Sequence, residues 1–128
     1  MPTKEAIVAD NAPAALGPYS TAISVGPFVY CSGQLPTDPA TGEFVEGCAG
    51  CQTKQVLKNV AAVLEAAGLT LGDVVKSTVF LTDMDNFQKM NDVYAEFFAA
   101  PFPARSTIGV AALPKDALVE IEVIAVRP

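Results

Sequence analysis

The carboxy-terminal run Leu118 to Val126 constrains this chain more than any other stretch, because it alternates with period two and yet carries two carboxylates. Glu120, Glu122, Ile124 and Val126 fall on one face of the strand this pattern predicts, and Val119, Ile121, Val123 and Ala125 on the other. Both faces read as largely buried. The carboxylates then need partners, since an unpaired buried charge is costly and shifts its pKa until it is neutral. A second β-branched-rich run, Arg105 to Val110, precedes it across a Leu113-Pro114-Lys115-Asp116 turn. Arg105 is the nearest cation in sequence, and its guanidinium fork suits a carboxylate bidentately. Two readings stand open at this point. One is a structural Arg–Glu pair tying two strands together; the other is an Arg that anchors a substrate carboxylate beside a Glu that moves a proton.

Upstream, Glu5 to Ala9 predicts an edge strand closed by Asn11-Ala12-Pro13, and Leu16-Gly17-Pro18-Tyr19-Ser20 a Gly-Pro loop carrying an aromatic hydroxyl. Thr21 to Val25 and Phe28 to Ser32, joined by Gly26-Pro27, predict a hairpin. Its exit, Cys31-Ser32-Gly33-Gln34, reads as a small-residue break that opens the backbone and the Ser32 hydroxyl to solvent. Leu35 to Gly50 reads as a surface loop. Gln52 to Ala67 predicts a helix with Val56, Val60, Val63, Leu64 and Ala67 on its buried stripe and Gly68 as its C-terminal stop. A strand over Asp73 to Thr82 follows, with Val75, Ser77, Val79 and Leu81 on one face. Asp85 with Gln88 resembles a capping box for a helix reaching about Phe98, whose stripe is Phe87, Met90, Tyr94, Phe97 and Phe98. Asn91 lies one step round from that stripe. Two helices with single apolar stripes suit one face of a mixed sheet, so the expected fold is a single α+β domain over residues 1–128 with the opposite sheet face uncovered.

Composition narrows the chemistry. The chain has 128 residues, 51% of them hydrophobic, which is rich for so small a domain and predicts self-association through the uncovered face. No apolar run approaches the ~20 residues of a membrane helix, and the start, Met-Pro-Thr-Lys-Glu-Ala, lacks the apolar core of a signal peptide. The expected location is cytoplasmic, with an organellar one left open. A net charge of −6 without a Lys/Arg cluster argues against a nucleic-acid partner. There is no histidine. Proton transfer therefore falls to carboxylates, Tyr, Lys, Cys or water, and the commonest imidazole metal ligand is missing.

Cys31, Cys48 and Cys51 are an odd number in a chain without a secretion signal, which argues against a disulfide framework. Cys48-Ala-Gly-Cys51 has the C-x-x-C spacing of redox and zinc sites. A structural zinc wants four ligands, and one further Cys with no His falls short of that. The pair is read as a peculiarity of this sequence in a Gly-rich loop, with no function assigned.

Taken together, Asn11-Ala12-Pro13, Gly17-Pro18-Tyr19, Cys31-Ser32-Gly33-Gln34, Pro103-Ala104-Arg105-Ser106 and the closing Val-Glu-Ile-Glu-Val-Ile-Ala-Val resemble the YjgF/YER/UK family of reactive-intermediate (RidA) deaminases nearly end to end. The most specific part runs from Ala104 to Ile121: Arg105, Ile108, Leu113, then Val119-Glu120-Ile121. The resemblance implies a chorismate-mutase-like protomer in a homotrimer with clefts between subunits. It also implies cofactor-independent and metal-free hydrolysis of small imine and enamine acids, such as 2-aminoacrylate and 2-iminopropanoate, to a 2-keto acid and ammonia. Carried over by position, Arg105 would hold the substrate carboxylate and Glu120 would act on the attacking water or the leaving amine. Tyr19, Ser32, Gly33, Asn91 and Thr107 would line the cleft. Many relatives carry Cys where this chain has Thr107; a contribution through the backbone tolerates that exchange, with the hydroxyl as an added donor, whereas a chemical role for the thiol would cost activity.

Two rivals remain. An endoribonuclease that inhibits translation is an older attribution in the family, against which the acidic balance argues. The other is a non-catalytic, chaperone-like trimer that holds small carboxylates or exposed apolar segments; Arg105 is compatible with it, and Glu120 is the residue that discriminates.

Overall fold

The structure is a computed structural model and describes residues 3–128. One six-stranded sheet carries two helices on a single face, the α+β arrangement expected from the sequence. In chain order the elements are β1 (Glu5–Ile7), β2 (Ala22–Val25), β3 (Phe28–Gln34), α1 (Ala49–Ala66), β4 (Val74–Leu81), α2 (Phe87–Phe97), β5 (Ala104–Gly109) and β6 (Val119–Val126). The strand order is β1-β2-β3-β6-β4-β5. Only β4 and β5 are parallel, and α2 is the crossover that joins them. The sheet is therefore mixed, and β6 lies at its centre between β3 and β4.

Alternation along β6 decides which face is the core. Val119, Ile121, Val123 and Ala125 are buried under the helices, packed with Val56, Leu57, Val60, Val63 and Leu64 of α1 and Met90 and Tyr94 of α2. The expectation that both faces are largely buried fails for the other one. Glu122 is exposed there, and Glu120, Ile124 and Val126 are only half-buried, because none of the described residues covers that side. Phe28, Tyr30 and Ile108 stand exposed on the same uncovered face.

Several boundaries differ from the sequence reading. Helix α1 starts at Ala49 instead of Gln52, so the Cys48–Cys51 segment is its first turn with Cys48 as N-cap, and not part of the loop. Its end is as expected: Gly68, at φ +78°, takes the left-handed position, and the Gly68 and Leu69 N–H groups donate to the Glu65 and Leu64 carbonyls. The Asp85 capping box is not formed. Asp83 instead accepts from the Asp85 N–H and caps a short 3-10 turn, Met84–Asn86, that leads into α2. Residue Val75 is exposed, because a bulge between Val74 and Lys76 turns it out of the core face. Finally, Cys31 to Gln34 is no break. The strand continues through Ser32 and Gly33 as a bulge, with Cys31 opposite Val123 and Gln34 opposite Ile121.

The loop from Leu35 to the α1 N-cap is tied down by one buried side chain. Asn59 donates to the Leu35 and Thr37 carbonyls at 3.0 and 2.8 Å and accepts from Gln55. At the other end of α1, the Arg127 guanidinium donates to the Ala67 carbonyl at 2.8 Å, placing a cation at the helix C-terminus.

Candidate active site

Arg105 is set by its register. It lies opposite Ser77 on β4, a fully buried residue of the helix-covered face, so its side chain rises on the side of α2. There its guanidinium carbon sits 4.7 Å from the ring centroid of Tyr94 and 5.7 Å from that of Phe87. Tyr94 is in turn pinned by a 2.7 Å hydrogen bond between its hydroxyl and that of Ser77, and by stacking on Phe98 at 4.4 Å. Burial pushes the Tyr94 phenol up, against the opposing influences of the Ser77 hydrogen bond and the Arg105 charge, so it stays protonated. Asn91, one helical turn before Tyr94, joins Arg105, Tyr94, Ala95, Phe102 and Pro103 around an open cleft of about 390 Å³. Ring faces hold the cation without using its N–H fork, which is left for an anion in that cleft.

Glu120 is set by register too, and to the opposite side. It lies across from Phe80 on β4. Phe80 is three residues from Ser77, so the two residues face opposite ways. The Glu120 carboxylate lies over the backbone of Gly33 in the β3 bulge; a Cβ at Gly33 would stand 2.9 Å from Glu120 Cδ and closer still to its carboxylate oxygen. That close approach requires a glycine. Burial, and secondarily the charge of Glu122, raise the Glu120 carboxyl above the ordinary carboxylate range. Gly33 and Tyr19 line a second cleft, of about 600 Å³, together with the Leu35 to Phe44 loop and Lys115. Ser32 is spent partly on structure: its hydroxyl donates to the Ser20 carbonyl at 2.6 Å and its N–H to the Thr21 carbonyl at 3.0 Å, which holds the Tyr19 loop against the bulge.

The residues singled out in the sequence thus fall into two groups. Arg105 and Asn91 share one cleft; Tyr19 and Gly33 line the other, with Glu120 packed against Gly33 and Ser32 bonded to the Tyr19 loop, neither of them in its lining. Thr107 follows Arg105 on the same face of β5, opposite Val79, outside the residues that line the first cleft. The Arg105–Glu120 pair that sequence proximity suggested does not form within the chain, because β4 separates the two strands and the side chains leave the sheet on opposite faces. The aromatic platform of Phe87 and Tyr94 was legible only as a core stripe. The signal was there in the spacing, since Asn91 and Tyr94 are three apart on one helix. Among the described residues, no group of three or more His, Cys, Asp or Glu side chains converges as a metal site would require.

Residues 9–127 match the family model described as endoribonuclease L-PSP. A RutC family protein of Pyrococcus horikoshii is 55% identical over 124 residues, covering 97% of this chain and 98% of that protein. The 2-iminobutanoate/2-iminopropanoate deaminase of Salmonella typhimurium is 51% identical over 124 residues, covering 94% of this chain and 96% of that protein. Among solved structures, Escherichia coli TdcF with bound serine superposes with a TM-score of 0.93 at 45% identity, covering 97% of this chain and 99% of that one. With the Arg105 and Glu120 strands matched inside those spans, the chain belongs to the endoribonuclease L-PSP family, the family of the YjgF-type deaminases.

Proposed function

We propose that this protein is an imine and enamine deaminase, hydrolysing 2-aminoacrylate and 2-iminopropanoate-type acids to 2-keto acids and ammonia, in sites shared between the subunits of a homotrimer. The observation that carries the reading is the presentation of Arg105: its guanidinium lies on aromatic rings in an open cleft, and among the described residues no carboxylate pairs with its N–H fork. A planar, small carboxylate fits that fork. The S. typhimurium relative acts, by its name, on 2-iminobutanoate and 2-iminopropanoate, which carry such a carboxylate. Serine, bound in the TdcF structure, carries one as well.

Arg105 holds the substrate carboxylate and so places C2 for attack by water. Water adds to C2 of the imine, and the C2–N bond of the resulting carbinolamine breaks to leave a carbonyl and ammonia. Carbon keeps its oxidation level, so the reaction consumes only water and needs only a proton carrier. Glu120 is that carrier: it takes a proton from the attacking water and returns it to the departing nitrogen, a task suited by a carboxyl whose pKa burial has raised toward neutrality. Asn91, Thr107, Tyr19, Ser32 and Gly33 line the assembled cleft and position the substrate.

Arg105 and Glu120 can act on one substrate only when different copies of the chain supply them. The uncovered sheet face, with Phe28, Tyr30 and Ile108 exposed on it, is the surface through which three copies close. We place the protein in the cytoplasm, where three free thiols stay reduced. We assign it no nucleic-acid partner, since a net charge of −6 repels a phosphate backbone.

The test generates 2-aminoacrylate in situ with a serine dehydratase, adds semicarbazide to compete for the imine, and follows keto acid release. Wild type accelerates release and Arg105→Ala does not. If folded, oligomeric wild type fails to accelerate release from several imine donors, the enzyme reading is wrong, and salt-dependent RNA binding and ligand binding become the next measurements.

A further inference from the structure

Cys48 and Cys51 take no part in the site described above, and the structure gives them a chemistry that the spacing alone did not. The two sulfurs are 2.7 Å apart and both side chains are exposed. Cys48 is the N-cap of the 18-residue helix α1, and its Sγ accepts the Cys51 backbone N–H at 3.3 Å. The first turn of α1 contains no acidic residue. A thiolate at Cys48 is therefore stabilised by an N–H donor, by the Cys51 thiol and by the positive end of the helix. Hydrogen bonds from the Cys51 side chain and backbone lower the Cys48 thiol below its ordinary value. Cys31 is the internal contrast: it is buried in the core, and burial pushes its thiol up to about 12.

We infer that Cys48 and Cys51 form a reversible dithiol/disulfide site in which exposed Cys48 attacks a peroxide or a small-molecule disulfide and Cys51 resolves the product. With a hydroperoxide, the Cys48 thiolate attacks one oxygen, the O–O bond breaks, and Cys48 becomes a sulfenic acid as the peroxide leaves as water or alcohol. The Cys51 thiol then attacks that sulfur, and water leaves as the S–S bond forms. Two electrons pass from the two thiols to one peroxide. With a small disulfide, the Cys48 thiolate attacks one sulfur, the S–S bond breaks and one thiol leaves as the mixed disulfide forms. Cys51 then displaces the second thiol as the Cys48–Cys51 bond closes. Closure needs the sulfurs to approach by less than 1 Å, from 2.7 Å to the ~2.05 Å of a disulfide, within the first turn of the helix. A zinc role is disfavoured by donor count, since among the described residues no third His, Cys, Asp or Glu converges on the pair.

The test uses the purified oligomer and three variants, Cys48→Ser, Cys51→Ser and Cys31→Ser. After stoichiometric hydrogen peroxide, and separately oxidised glutathione, free thiols are alkylated, and intact mass and peptide mapping locate the linkage. Wild type and Cys31→Ser should each lose two alkylatable thiols, show a Cys48–Cys51 linked peptide, and recover both thiols with dithiothreitol. Cys51→Ser should stop at an intermediate on Cys48, captured as a dimedone adduct or a glutathione mixed disulfide. Cys48 in Cys51→Ser should be alkylated about tenfold faster at pH 7 than Cys51 in Cys48→Ser. Serine is itself a good N-cap, so both variants keep the start of α1. Cys48 and Cys51 both remaining alkylatable in wild type after oxidation would overturn the inference. Equal alkylation rates for the two single thiols would overturn the assignment of Cys48 as the attacking residue.

Discussion

Arg105 and Glu120 leave the same sheet from opposite faces, with β4 between their strands, three residues out of step in its register. That offset is about 10 Å across the strands and about 10 Å along them. A site that uses both groups on one small substrate must therefore take them from two copies. This predicts complementation. Arg105→Ala and Glu120→Gln should each be inactive as pure oligomers, yet regain activity when unfolded together and reassembled. With random mixing, about one quarter of sites pair an intact Arg105 with an intact Glu120, so about a quarter of wild-type turnover should return. A mixture as inactive as its parents would mean that each site draws both residues from a single chain.

Gly33→Ala tests the support of Glu120 from below. The added methyl collides with the Glu120 side chain, which is its far end and free to swing away, so the fold tolerates the change. The carboxylate does not keep its place. A displacement of about 1 Å in a catalytic group can cost ~100-fold in rate, so kcat should fall to that order while the melting temperature moves little. An unaltered kcat would show that Glu120 need not rest on the bulge.

These two residues also mark where sequence reading succeeded and where it ran out. Period-two alternation in β6 and three-four spacing in both helices made the layers legible, because those patterns are local consequences of which side meets the core. The order of strands is not local. Nothing in residues 105–126 announces that β4 inserts between β5 and β6, and so neighbours in sequence were read as neighbours in space. The bulge at Ser32 and Gly33 looked like a break because a strand that carries small residues against a carboxylate has the composition of a turn. The start of α1 was missed for a related reason: a Cys N-cap followed by Ala-Gly-Cys lacks the Ser, Thr, Asp or Asn that usually announces a helix.

The raised Glu120 carboxyl sets a pH dependence with a definite sign. Folding holds this group in its neutral form more strongly than the unfolded chain does, so ionising it at higher pH costs stability that is not lost at acid pH. Glu120→Gln should thus be more stable than wild type at neutral and alkaline pH, with the difference closing as pH falls below the ordinary carboxylate range. The acid limb of kcat/KM should lie above that range. Because the Glu122 charge contributes to the shift, Glu122→Gln should move the limb to lower pH. A limb that stays put in Glu122→Gln would leave burial as the whole cause.

Asn59 links the core to the wall of the second cleft. It is fully buried on α1 and supplies both donors that hold the Leu35 and Thr37 carbonyls. Asn59→Ala strands those acceptors, at a cost of roughly 2–4 kcal/mol for two buried hydrogen bonds. Urea unfolding at fixed protein concentration should show the loss. Hydrogen exchange should rise in the loop from Leu35 to Phe44 before it rises in α1.

Tyr94 offers the cleanest separation of ring from hydroxyl in the Arg105 cleft. Tyr94→Phe keeps the face on which the guanidinium rests but leaves the buried Ser77 hydroxyl without its 2.7 Å partner. The expected result is a stability loss of about 1–3 kcal/mol with KM nearly unchanged. Tyr94→Leu removes the face itself. A cation–π contact of this kind is worth about 0.5–2 kcal/mol depending on how far it is desolvated, and its main effect here is to keep a long side chain in one orientation. Freed of it, Arg105 samples other rotamers and meets the substrate carboxylate less often, so KM should rise by roughly two- to thirtyfold on that range. Equal KM values for the Phe and Leu variants would show that the strand and Phe87 alone hold the guanidinium in place.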